Sequence, residues 1–216
     1  MKSVNTTVID LGMGNLMSII RGLEYFGAKV TVTSDSNIIE NSSHVVLPGD
    51  GAFKYVMEQV IKKRLLDTLT NFNKSKSNLL GICIGMQILF DESCEFEKTK
   101  GLGLISGKII PIPNKSINGK KITIPHMGWN NLLTTEHFKN WNKTFLENNR
   151  VNDEVYFIHS YMAVPSDDSN RVADCVYGGH RIAAVVTKDN ITGCQFHPEK
   201  SGKIGLKILK KFLEDH

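Results

Sequence analysis

Along the first ninety residues the apolar positions alternate between two spacings. "TVIDLG" (7–12), "KVTVTS" (29–34), "HVVLPG" (44–49) and "NLLGIC" (78–83) are short, β-branched or alternating runs closed by breakers, the pattern of strands. Between them the spacing widens to three and four. It predicts one helix from an Asn15 cap to about Phe26, stopped by Gly27, and a long amphipathic helix over 52–72. Strands joined by helices of this length pair in parallel through right-handed crossovers, which gives an α/β fold with an open, doubly wound, mostly parallel sheet and flanking helices.

Past residue 100 the intervals shrink to turns. "GKIIPI" (107–112), "KKITIP" (120–125), "VYFIHSYMAV" (155–164), "RVADCVYG" (171–178), "HRIAAVVT" (180–187) and "ITGCQFHP" (191–198) predict added antiparallel hairpins on the edge of the sheet or beside it. A final helix is expected from about Ser201 to Glu214, with Ile204, Leu206, Ile208, Leu209, Phe212 and Leu213 as its apolar positions. The polar patch "NFNKSKSN" (71–78) is too short to serve as a linker between domains, so residues 1–216 read as a single domain.

Composition narrows the function classes. Hydrophobic residues at 41% and charged residues at 22% describe an ordinary globular protein, and no apolar run approaches a membrane span. The start, "MKSVNTTVID", reads as a strand and has neither an apolar signal core nor an Arg-rich amphipathic character, so a cytoplasmic location is expected. The net charge of +4 is spread along the chain. Its densest spots, "KKR" (62–64) and "KILKK" (207–211), fall on helical segments as solvated faces, which argues against nucleic acid as a partner. The cysteines, Cys83, Cys94, Cys175 and Cys194, form no C-x-x-C pair and read as reduced thiols.

One of them is framed for chemistry. In "GICIG" (81–85), Gly81 and Gly85 stand two residues either side of Cys83 at the end of a parallel strand. A sharp strand-to-helix turn that presents a nucleophile needs small residues at those two places. The turn would set Cys83 at the N-terminus of a helix "GMQILF" (85–90), where dipole and free N–H groups favour a thiolate, and would aim the Ile84 N–H at a developing oxyanion. The competing reading is a buried cysteine between strand-end glycines. A thiol nucleophile needs a base; His216 is the last residue, His44, His137 and His180 lack an acidic partner in register, and His126 and His159 lie in aromatic strands. His197 ends an apolar strand in "HPE", where Pro198 stops the strand and Glu199 can accept from one ring nitrogen while the other faces a thiol. A strand-end histidine with a chance acidic neighbour is the plainer alternative. "LPGDGAF" (47–53) closes another strand, and its Gly49-Asp50-Gly51 run can turn backbone N–H groups toward the same space, or can be a simple turn opening a helix. Ligands in such sheets bind beyond the carboxyl ends of the strands, where all three segments end. Cys83 and His197 lack further ligands at usable spacing, so no metal is expected.

Taken together, "GMGN" (12–15), "LPGDGAF", "GICIGMQ", "PHMGWN" (125–130), "YFIHSY" (156–161) and "QFHPEKS" (195–201) resemble the class I (triad) glutamine amidotransferases, and within them the glutaminase subunits of imidazole glycerol phosphate synthases. The resemblance implies a glutamine substrate, no cofactor, and a Cys83–His197–Glu199 triad acting through a thioester. It implies oxyanion donors at Ile84 and in Gly49, Asp50 and Gly51, and it puts Gln87, Glu95, Ser160 and Tyr161 where the family holds the substrate's head group. Without it those four would be a helix-surface amide, a loop acid and a pair of strand hydroxyls. It further implies a heterodimer in which ammonia passes to a (β/α)₈ cyclase subunit, with His126, Met127, Gly128, Trp129 and Asn130 at the interface; a buried hairpin Trp is the alternative there. One position departs from the pattern. The family carries an apolar residue where this chain has Asp50, and an ionised carboxylate aimed at an oxyanion would oppose it. The same chemistry serving another ammonia acceptor, such as surface-sugar modification, a Cys hydrolase without a channel, and a partner-binding subunit with a silent triad remain the competing readings.

Overall fold

The computed structural model of the chain describes residues 4–214; the first three residues of the expected N-terminal strand segment, and Asp215 and His216, lie outside the described residues. The first half is β1 (Asn5–Ile9), α1 (Leu16–Glu24), β2 (Lys29–Thr33), α2 (Ser36–Glu40), β3 (His44–Leu47), α3 (Phe53–Lys62), α4 (Leu66–Thr70), β4 (Asn78–Ile82) and α5 (Ile84–Gln87). Then come β5 (Phe90–Ser93), β6 (Thr99–Lys100), β7 (Ile105–Pro111), β8 (His126–Asn131), β9 (Leu133–Thr134), β10 (Glu154–His159) and β11 (Tyr161–Pro165). The chain closes with β12 (Arg171–Tyr177), β13 (His180–Lys188), β14 (Ile191–Cys194) and α6 (Gly202–Glu214).

The main sheet runs β2-β1-β3-β4-β14-β13-β12-β9. Its first five strands are parallel and the rest antiparallel, so the α/β reading and the hairpin addition both hold. β3 is buried along its whole length, as a central parallel strand must be. Val45 and Leu47 pack on one side with Phe53, Val56 and Val60 of α3; Val46 packs on the other with Leu23 of α1 and Leu209 and Phe212 of α6. Burial of each such side chain stabilises the layers by roughly 1.5–3 kcal/mol. A second sheet, β11-β7-β5-β6, and a β8–β10 ribbon stand beside the main sheet. No helix among the described residues is long and apolar enough to cross a membrane.

Several expected elements differ for local reasons. The 52–72 helix is broken after Lys62, where Arg64 takes φ +59° and Leu65 N–H donates back to Val60 O at 2.9 Å. This is a helix stop built without glycine, so the sequence carries no stop signal there. The short α2 is not expected from periodicity; its signal is Asp35, whose carboxylate accepts the Asn37 N–H at 2.9 Å. "GMQILF" keeps only one helical turn, because the Ile88 and Leu89 carbonyls accept from Leu102 and Leu104 instead of continuing the ladder. "KKITIP" is not a strand; only Lys121 bridges, to Lys115. "VYFIHSYMAV" is two strands parted at Ser160, one pairing β8 and the other β7.

Candidate active site

β3, β4 and β14 lie side by side and parallel, so the segments leaving their carboxyl ends emerge on one edge of the sheet. The central segment carries Cys83. Its backbone sits at φ 55°, ψ −113°, a conformation that costs about 1–3 kcal/mol for a non-glycine residue and is held by its surroundings. Cys83 N–H donates to Cys194 O at 2.8 Å, tying the turn to β14. A Cβ on Gly85 would overlap the Leu47 carbonyl oxygen, and one on Gly81 would lie 2.7 Å from Gly85 O. The two glycines therefore admit the tight crossing of β3, β4 and the turn. Because α5 is a single turn, its dipole is small, and the expected help from a helix macrodipole gives way to discrete hydrogen bonds.

The base comes from the chain leaving β14. His197 N–H donates to Tyr156 O at 2.9 Å, and the Ser201 hydroxyl donates to His197 O at 2.6 Å while accepting Tyr156 N–H at 2.9 Å. A 3₁₀ turn at Pro198–Lys200 then folds Glu199 back onto the ring. His197 Nδ1 is 2.7 Å from Glu199 Oε1, and its other nitrogen is left to hydrogen-bond Cys83. The second carboxylate oxygen, Oε2, is buried and meets no donor among the described residues, so the carboxylate is committed to the imidazole. Burial acts to lower the His197 pKa, but the hydrogen bonds and charges of Cys83 and Glu199 outweigh it and raise it to about 10. His197 is thus held protonated at neutral pH. Cys194, fully buried against the same groups, is driven well above its ordinary value by burial and then by Glu199 and Cys83, so it stays a thiol and does not compete as a nucleophile.

Above Cys83 opens a cavity of about 460 Å³. Asp50, Gly51, Ile84, Gln87, Glu95, Ser160 and Tyr161 line it together with the nucleophile, and so do Phe96, Pro125, Ile158 and His159, which are not among the site residues expected from the sequence. Gly49 lies behind this wall, its Cα packed against the Ile84 side chain. Ser160 and Tyr161 reach the rim because the chain breaks between β10 and β11. Glu95 Oε2 accepts the Phe53 N–H at 2.6 Å, fixing its loop to the start of α3, and burial followed by the Glu95 charge raises the Tyr161 phenol. Asp50 points to solvent, and its Oδ1 accepts the Gly51 N–H at 3.0 Å. Gln87 is no surface amide: it is buried, and its Nε2 donates to Tyr161 O at 3.2 Å and to Gln195 Oε1 at 2.9 Å. Gln195 is absent from the residues expected from sequence, although an uncharged polar residue inside the apolar run "TGCQF" is a signal in itself.

The "PHMGWN" strand, β8, splits by face. Met127 (62% exposed) and Trp129 (54%) point outward, Gly128 and Asn130 are half-buried, and His126 is buried. His126 Nδ1 meets His159 Nε2 at 3.0 Å, and its ring stacks on Phe157 and Tyr177. Burial lowers His126 to about 4 and His159 to about 3, so both are neutral. Of the segment expected at a partner face, His126 therefore acts from inside the molecule. A separate hollow of about 500 Å³ lies around Arg171, Asp174 and Arg181, where one carboxylate pairs with both guanidinium groups, and no cysteine lines it.

The model of the family "Glutamine amidotransferase class-I" matches residues 7–215. The chain is similar to "Imidazole glycerol phosphate synthase subunit HisH 1" of Legionella pneumophila (strain Lens), with 41% identity over 210 residues, covering 97% of this chain and 99% of the relative. It is likewise similar to "Imidazole glycerol phosphate synthase subunit HisH" of Lactococcus lactis subsp. lactis, with 40% identity over 96% of this chain and 97% of the relative. Among solved structures, "Crystal structure of glutamine amidotransferase" superposes with a TM-score of 0.71 at 14% identity, covering 97% of this chain and 99% of that one. "Structure of PurLQS from Thermotoga maritima" superposes at 0.69 with 21% identity and 98% of each chain; at these identities the likeness is one of fold.

Proposed function

Because the chain belongs to the class I glutamine amidotransferase family, we propose that it is the glutaminase subunit of an imidazole glycerol phosphate synthase, hydrolysing glutamine and feeding the ammonia to histidine biosynthesis. The observation that carries the chemistry is the Cys83 elbow, which lines the cavity, hydrogen-bonded from behind by the His197–Glu199 pair. With its thiol proton passed to His197, the Cys83 sulfur attacks the side-chain amide carbon of glutamine. The oxygen that gains the charge is met by the Ile84 N–H and by N–H groups of the Gly49–Gly51 segment. His197 gives its proton to the departing nitrogen, ammonia leaves, and a glutamyl thioester remains on Cys83. Water then attacks the thioester while His197 takes its proton; the C–S bond breaks, its electron pair returns to sulfur, and glutamate departs.

Glu95, Gln87, Ser160 and Tyr161 are the groups we assign to the amino-acid head group, since a carboxylate and hydroxyls around one end of the cavity suit an ammonium and a carboxylate. The cyclase subunit is assigned to the outer face of β8, where Met127 and Trp129 expose apolar surface, an amphipathic anchor of the kind that interfaces favour. The reading is tested by assaying glutamate release from the purified chain alone, with a cyclase subunit, and with that subunit's nucleotide ligand. Activity that survives Cys83→Ala, or no activity in any of the three, contradicts it.

A further inference from the structure

Besides the His197 imidazole, a second hydrogen-bond chain, with only one possible direction, ends on the Cys83 sulfur. The chain is fixed at its middle by the Tyr161 carbonyl oxygen, which can only accept. On one side, His159 Nδ1 lies 2.8 Å from that oxygen and must carry the hydrogen. As a neutral ring it then presents Nε2 as an acceptor, so His126 Nδ1 donates across 3.0 Å, and His126 Nε2 accepts from Asn130 Nδ2 at 3.2 Å. Asn130 is consistent with this, since its Oδ1 accepts the Asn131 N–H and its Nδ2 also donates to Val176 O.

On the other side of the same oxygen the logic continues to the active site. Gln87 must turn its Nε2 to Tyr161 O; the second Nε2 hydrogen then meets Gln195, which must offer Oε1. Its amide is thereby set, and the Gln195 Nε2, 3.8 Å from Cys83 Sγ, faces the sulfur as a donor. Gln195 is fully buried, so this amide has no water with which to exchange partners. A flipped amide would put a carbonyl oxygen against the sulfur and break the bond to Gln87.

We propose that Gln195 is a catalytic residue, whose oriented N–H stabilises the Cys83 thiolate before attack and again when it leaves the thioester, with Gln87, Tyr161 O and the His159–His126–Asn130 arm as its positioning chain. As the C–S bond forms, the sulfur's charge passes to the substrate oxygen and this bond weakens; as the C–S bond breaks, charge returns to sulfur and the bond strengthens. Its contribution therefore falls on the readiness of the nucleophile and on deacylation. The far arm ends on β8, so the strand assigned to the partner also anchors the amide that faces the nucleophile.

This inference rests on the glutaminase reading for its meaning but not for its test. The full-length chain is treated with iodoacetamide at pH 7 and the Cys83 peptide is followed by mass spectrometry, which separates it from Cys94. Gln195→Met keeps the side-chain volume and removes the donor, and Cys83 alkylation is expected to slow by about tenfold, the scale of one charge-assisted hydrogen bond. Gln195→Glu puts a carboxylate against the sulfur and is expected to slow it further. A residue that only fills space would leave the rate unchanged once the variants are shown folded by their thermal transitions. Wild-type alkylation in both folded variants overturns the proposal. Should neither fold, Gln87→Met decides: it leaves Gln195 present but unanchored, and a rate equal to wild type overturns the proposal while a severalfold loss supports it. Absence of glutamine hydrolysis by the wild-type chain with a cyclase subunit would instead strike the functional reading and leave the alkylation comparison standing.

Discussion

Replacing Glu199 with glutamine removes one charge and little else, and the surroundings of the side chain determine the cost. Glu199 and His197 have side chains only 3% and 9% exposed, so water cannot take over the carboxylate's role. Gln Oε1 can still accept from His197 Nδ1, but the amide nitrogen must then occupy the place of Oε2, an enclosed spot where no hydrogen-bond partner is found among the described residues. An unpaired buried N–H costs about 1–3 kcal/mol, and with the lost ion pair the whole change is expected at about 3–5 kcal/mol. For a chain of this length that is on the order of 10 °C in the thermal midpoint. The pH dependence has a definite sign. His197 is raised in the folded state from 6.5 to about 10, so its contribution to stability is complete below pH 6.5 and is lost as pH rises through 10. Glu199→Gln brings that upper limit down by roughly one to three pH units. With the imidazolium less stabilised and its ring no longer oriented by a carboxylate, kcat is expected to fall on the order of 10²–10⁴-fold. Urea unfolding at pH 6, 8 and 10, an NMR titration of the His197 ring and glutamate release read the three effects. A variant within threefold of wild-type kcat, with an unmoved His197 titration, would refute the assignment of Glu199 as the residue that holds the imidazole.

Gly85→Ala places a methyl against the Leu47 carbonyl where β3 and the Cys83 turn cross; a loss of about 3 kcal/mol by urea unfolding is expected, and an unchanged midpoint would show that the crossing is slack. Asp50→Val frees the Gly51 N–H that the carboxylate now holds and removes a negative charge from the oxyanion segment. Glutamine hydrolysis without a partner is expected to rise about threefold to tenfold, the scale of one hydrogen bond, whereas unchanged basal and partner-stimulated rates would remove Asp50 from the account. Trp129→Ala takes the largest exposed side chain from β8; titration calorimetry against a cyclase subunit is expected to show affinity reduced at least tenfold, and equal affinity would move the interface elsewhere.

The nucleophile and its base are legible in the sequence because each requires a short local pattern: glycines two residues either side of Cys83, and a proline turn that returns Glu199 to His197. The parallel half of the sheet is legible for the same kind of reason, since its strands are closed by breakers. The features that escape a reading of the sequence depend on neighbours distant along the chain. Ser160 interrupts a continuous apolar run only because its flanking strands pair with two different sheets. Arg64 ends a helix in a conformation that glycine normally announces. The helix after Cys83 is cut to one turn by carbonyl partners from 102–104, and Gln195 acquires its meaning from Gln87, 108 positions away. Glu95 and Tyr161 are named from resemblance alone; the cavity that gathers them exists only in the folded chain.

The most direct test of the account is the covalent intermediate itself. The chain, with a cyclase subunit and its nucleotide ligand present, is mixed with glutamine, quenched in acid within the turnover time, and digested for mass spectrometry. A glutamyl adduct is expected, confined to the peptide carrying Cys83 and absent when Cys83 is replaced by alanine. Glutamate released at an undiminished rate by the Cys83→Ala chain, or an adduct found on Cys94 in place of Cys83, would contradict it.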